Sequence, residues 1–198
     1  MIKGKKGFTL MEVLVTSFIS VFVLGAIVAL SNVSNWSLRT ESTLLDIQWE
    51  ASRGMNRMLE ELYVAGESTM IVDASGDFVT FQMPTITAAT GTVYKTSGAI
   101  NWGDGANDDY SIRYLVPTGT DPNVGRLVRR LLDATDTVVA NSDIILAANV
   151  NTVSFTGYDG NDSDTEPDLL TINIAVSKTV AQGRSLQTTL DSAVTFRN

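Results

Sequence analysis

Between residues 8 and 30 the chain carries no Lys, Arg or Asp, and Glu12 is the only charged side chain in the run. At about 1.5 Å of rise per residue such a run forms a helix of roughly 35 Å, enough to cross a bilayer. Residues 31–37 (Ser-Asn-Val-Ser-Asn-Trp-Ser) are weak helix formers, with Trp36 placed as an interfacial aromatic. The pattern then changes: Leu44, Ile47, Ala51, Met55, Met58 and Leu62 recur at steps of three or four and draw one apolar stripe. Glu41, Asp46, Glu50, Arg53, Arg57, Glu60 and Glu61 lie opposite and read as a solvated face, with Glu50 to Arg53 and Arg57 to Glu61 at pairing distance along a helix. No proline precedes Pro84, so both patterns belong to one long helix with Gly66 as its expected stop. Its first half is all-round apolar, for lipid, and its second half is amphipathic, for a core.

After residue 66 the period becomes two. Alternation over residues 79–83, 112–116 and 170–176 predicts strands, with further strands expected over 126–132, 150–158 and 186–196. Polar and Gly- or Pro-bearing segments at 85–107, 117–125, 134–141 and 159–168 separate them. Successive strands with short turns favour antiparallel pairing, and the amphipathic half of the helix supplies the cover for one face. The expected fold class is α+β, a long N-terminal helix packed on antiparallel sheet. Residues 1–7 read as a leader, 8–30 as the membrane-crossing segment, 31–66 as the helical continuation and 67–198 as a globular β-rich domain.

The formal charge is −8, but Lys3, Lys5 and Lys6 all precede the apolar run, leaving eleven basic against twenty-two acidic residues from Phe8 onward. An acidic body repels nucleic acid, so none is expected as a partner. The lysines ahead of the run orient it with the N-terminus in the cytoplasm and the body outside. As a secretory signal the run is too long for an ordinary apolar core, and no small-x-small pair closes it before Ser31, so it is expected to stay in the mature protein. His and Cys are both absent, which removes the commonest acid–base catalyst, every thiol mechanism and any disulfide framework. No Gly-x-Ser-x-Gly elbow and no Walker-type loop occurs. An enzyme is not expected. Asn32, Asn35 and Asn161 each begin an Asn-x-Ser sequence, read as incidental.

A lone carboxylate at Glu12 costs about 2.5 kcal/mol or more in hydrocarbon, so it requires a partner or a function. Lys6-Gly7-Phe8-Thr9-Leu10-Met11-Glu12, followed by an uninterrupted apolar helix, resembles the N-terminus of type IV pilins and their relatives, the class-III signal sequence. The resemblance implies a pilin-like fold, cleavage after Gly7 by prepilin peptidase, an N-methylated Phe8 as the new terminus, and a requirement for Glu12 in methylation and assembly. In a filament core the Phe8 amine and the Glu12 carboxylate of neighbouring subunits would neutralise one another.

Within that family the chain looks most like the J-type minor pseudopilin of type II secretion systems. The similar features are a Trp-containing helix ending Met58-Leu59-Glu60-Glu61-Leu62, a strand over 78–84, the basic strand Arg126-Leu127-Val128-Arg129-Arg130, and Val153-Ser154-Phe155-Thr156-Gly157-Tyr158-Asp159 ahead of a loop and a long apolar strand. The implied role is tip assembly of a periplasmic pseudopilus that drives protein export. The implied partners are other minor pseudopilins or pilins, prepilin peptidase and the inner-membrane assembly platform. Most of these features are shared by minor pilins of surface type IV pili, acting in priming, adhesion or DNA uptake, and a membrane-anchored binding domain that never polymerises is the reading from outside the family. The loop bearing Asp159, Asn161, Asp162, Asp164 and Glu166 offers oxygen ligands of the kind Ca²⁺ takes, without the glycine and glutamate of an EF-hand loop. Some pseudopilins bind Ca²⁺; a solvated turn is the alternative. Asp104, Asn107, Asp108 and Asp109 form a second acidic cluster with looser spacing.

Overall fold

The computed structural model describes residues 9–86, 91–95, 97–105, 109–158, 168–180 and 183–196. Helix α1 runs Leu10–Leu62, and the chain divides into a unit Met1–Thr43 and a unit Leu44–Asn198. In the first unit the side chains of residues 9–35 are exposed, and α1 is the one helix among the described residues long and apolar enough to cross a membrane. The helix is unbroken through residues 31–37 despite their weak propensity.

Among the described residues, the second unit contains the rest of α1 and ten strands. They are β1 (Ile71–Val72), β2 (Phe78–Phe81), β3 (Met83–Pro84), β4 (Trp102–Gly103), β5 (Ser111–Leu115), β6 (Arg126–Leu132), β7 (Ile144–Ala148), β8 (Val150–Thr156), β9 (Leu169–Thr179) and β10 (Ser185–Thr195). β1-β2-β5-β6-β7 form one sheet, β10-β9-β8 a second, and β3 pairs with β4; these ladders are antiparallel. This is the α+β arrangement of a long N-terminal helix and antiparallel sheets.

Alternation explains which faces are buried. Ile112 and Tyr114 of β5, and Leu170, Ile172, Ile174 and Val176 of β9, point inward at every second position. They share one apolar cluster with Ile47, Ala51, Met55, Met58 and Leu62 of the helical stripe, with Leu44 packed at its margin. Gly54 lets the helix approach the sheet: a Cβ there would lie 3.2 Å from the Ala147 Cβ and 3.3 Å from the Leu127 Cδ2. The two sheets are tied where the Phe155 N–H of β8 donates to the Gly76 carbonyl at 2.9 Å, in the turn between β1 and β2.

Three expectations need correction. The helix ends at Leu62, and Gly66 does not cap it in the left-handed conformation, its φ being −77°. The last turn tightens, with Val64 and Ala65 donating three residues back, and the Gly66 N–H is taken by the Gln82 carbonyl at 3.0 Å. Gly66 serves close approach instead, since a Cβ would sit 2.5 Å from the Trp102 ring. Secondly, β2 stops at Phe81, and residues 83–84 pair separately with β4 inside the segment expected to be loop. β1 and β7 were not expected at all: two residues are too few to show alternation, and Ile-Ile-Leu-Ala-Ala is apolar without it. Thirdly, Glu61 does not belong to a solvated face; it is 4% exposed.

Candidate functional site

The start of α1 is built on Thr9. The Glu12 N–H donates to the Thr9 Oγ1 at 3.3 Å, while the Thr9 N–H and hydroxyl donate to the Glu12 Oε2 at 2.9 and 3.1 Å. This is a reciprocal capping box: the Thr-x-x-Glu spacing satisfies two helix-terminal donors that would otherwise lack partners. It folds the carboxylate back over the first turn, where the helix dipole favours a negative charge. Thr16 and Ser20 follow Glu12 at steps of four, and their hydroxyls return to the Glu12 and Thr16 carbonyls at 2.8 Å each. The stripe Glu12, Thr16, Ser20 therefore adds no unsatisfied donors to the apolar span. The signal for the box was present in Thr9-Leu10-Met11-Glu12, but attention to charge alone passes over it.

A second polar centre lies in the body, where the sequence offers no motif. The Glu61 Oε2 accepts from the Tyr114 hydroxyl at 2.7 Å and from the Arg129 Nε at 2.8 Å. The Arg57 guanidinium lies 2.8 Å from Oε1, off the hydrogen-bonding direction. Burial, and then the charge of Glu61, push the Tyr114 phenol well above its ordinary range, so it remains a donor. Arg129 and Glu61 are both almost fully buried and neutralise one another across the helix–sheet contact. This centre joins α1 to β5 and β6; it contains a fixed neutral donor and a paired carboxylate rather than a free base.

On β6 the next residue, Arg130, donates from Nε and Nη2 to both oxygens of Asp143 at 2.8 and 2.7 Å, and from Nη2 to Asp121 at 2.7 Å. Asn123 adds a bond to Asp143 at 2.9 Å. These bonds from Arg130 hold both carboxyls below the usual carboxylate range and raise the guanidinium further. They pin the segments on either side of β6 to the sheet.

Gly7 and Phe8 lie outside the described residues, as do Asp159, Asn161, Asp162, Asp164 and Glu166 of the first acidic loop and Asn107 and Asp108 of the second. Asp104 is buried and Asp109 exposed. Among the described residues no group of three or more acidic side chains is gathered to hold a metal ion.

Residues 2–28 match the family model described as the prokaryotic N-terminal methylation motif. The methylation motif spans Gly7, Phe8, Thr9 and Glu12, and so contains both the capping box and the residues flanking the expected cut. It supports a type IV pilin-like protein, a structural rather than enzymatic class, and it implies processing by prepilin peptidase and assembly with other pilins. With the long apolar helix it fits a membrane-anchored protein. No curated protein and no solved structure matches the chain.

Proposed function

We propose that the chain is a minor pseudopilin of a type II secretion pseudopilus, anchored in the bacterial inner membrane with its body in the periplasm and acting in tip assembly and protein export. The observation that carries the reading is the methylation motif laid over an exposed apolar span, residues 8–30, whose sole charge is Glu12. Cleavage after Gly7 frees an amine at Phe8. That amine and the Glu12 carboxylate of a neighbour are each costly in an apolar core and tolerable together. The body contributes shape and contact surface, not catalysis. The basic strand β6 and the Trp-bearing amphipathic helix are what the chain has in common with the secretion subunit, and minor pilins share most of these features.

Co-expression with an active prepilin peptidase should remove the seven-residue leader and methylate Phe8, read by intact mass; an unchanged mass beside a control prepilin that is cut would sink the proposal. Deleting the gene should stop export of folded protein while leaving surface pili intact. Loss of pili with export intact would transfer the protein to the pilus.

A further inference from the structure

Among the described residues β7 is the last strand of the five-stranded sheet, with β6 on one side and no strand on the other. Among the described residues its outward N–H and C=O groups have no backbone partner. The edge borders a cleft of about 690 Å³ whose opposite wall is the helix flank bearing Trp49, Arg53 and Arg57. Trp49 is 65% exposed, Ile144 51% and Ile145 47%. Soluble proteins protect such edges with lysine, proline or a covering segment, because an open edge recruits strands. Ile144-Ile145-Leu146-Ala147-Ala148 has no charge and no proline, and exposed apolar groups concentrated beside it mark an interaction surface.

The charge of the groove narrows the occupant. Arg57 is paired with Glu60 and Glu61, whereas Arg53 lies 5.8 Å from the Trp49 ring and has no carboxylate partner among the described residues. The exposed Arg53 guanidinium beside the Trp49 ring offers a donor arm for a carboxylate at the mouth of the groove. A helix would leave the β7 edge unpaired, since it satisfies its own backbone. A second copy pairing through its own β7 would bring Ile144-Ile145-Leu146-Ala147-Ala148, which has no carboxylate to offer Arg53.

We propose that the groove between β7 and α1 binds an extended segment of another protein, which adds to the sheet as a sixth strand, with apolar side chains against Trp49 and Ile144 and a flanking carboxylate at Arg53. The test uses the full chain in detergent micelles and a fluorescein-labelled peptide, Asp-Val-Thr-Ile-Thr-Val-Asp. Saturable binding in the micromolar to about 1 mM range is expected, weakened about tenfold by Arg53→Glu or by replacing both terminal Asp with Lys. Binding should also slow amide exchange within residues 144–148, and N-methylation of alternate peptide amides should abolish it. Three outcomes overturn the proposal: no saturable binding up to about 1 mM, equal binding of the acidic, lysine-flanked or N-methylated peptides, or protection of 144–148 by self-association in sedimentation without peptide.

Discussion

Glu61 shows how much one side chain can commit a fold. Its carboxylate is buried, so the interaction with Arg129 and Tyr114 serves mainly to make that burial tolerable, and removing one partner should cost more than the pair contributes. Arg129→Met is expected to destabilise the protein by about 3–5 kcal/mol in urea unfolding, and adding Glu61→Leu should restore most of the loss. A loss under about 1 kcal/mol for Arg129→Met would show that the carboxylate is not stranded. Arg130 makes a different kind of contact, nearer the surface. Because Asp121 and Asp143 titrate below their unfolded values in the folded state, their stabilisation is complete above the ordinary carboxylate range near pH 4 and disappears as pH falls through the lowered values. Arg130→Met should therefore lower the urea midpoint at neutral pH, with the difference from the parent shrinking in acid. A pH-independent difference would assign the effect to packing alone.

At the scale of elements, two close approaches organise the body. Gly54 seats the helix on the sheet through Ala147 and Leu127. Gly76 joins the sheets: it has φ +76°, and a Cβ would meet the Phe155 carbonyl at 2.8 Å, which is backbone and unable to swing aside. Gly76→Ala combines left-handed strain with that clash and should cost about 2 kcal/mol. It should also accelerate exchange of the Phe155 amide, whose acceptor is the Gly76 carbonyl. An unchanged Phe155 exchange rate would place the sheet-to-sheet tie elsewhere.

For the whole molecule, the division at Thr43/Leu44 separates the two kinds of chemistry. The body has its own core, made without Glu12, while Glu12 belongs to an exposed apolar span. Glu12→Ala should thus leave the circular dichroism and urea midpoint of the body unchanged yet abolish incorporation into filaments or tip complexes, assayed by co-sedimentation. Normal incorporation would contradict the role assigned to the carboxylate. Thr9→Val, which removes the hydroxyl arm of the capping box, should loosen only the first helical turn, by about 1 kcal/mol.

Periodicity and charge along the chain were sufficient for the α+β class, the apolar span, the buried helical stripe and strands β5, β6, β8, β9 and β10, because 3.6- and 2-residue repeats are local consequences of burying one face. The methylation motif was legible because Gly7, Phe8, Thr9 and Glu12 lie within six consecutive positions of the chain, at the head of the apolar run. Residues far apart in sequence were not legible in this way. Glu61 reads as solvent-facing by its spacing from Arg57, and only the packing of α1 against β5 and β6 brings Tyr114 and Arg129 to it. The same holds for Gly66, whose amide is claimed by Gln82 and whose face is filled by Trp102, so that the helix stops four residues sooner than its glycine indicates. Local periods record which face of an element must be buried; which partner covers that face is decided when the chain closes in three dimensions, and only then does a carboxylate acquire its counter-charge or an edge strand its empty side.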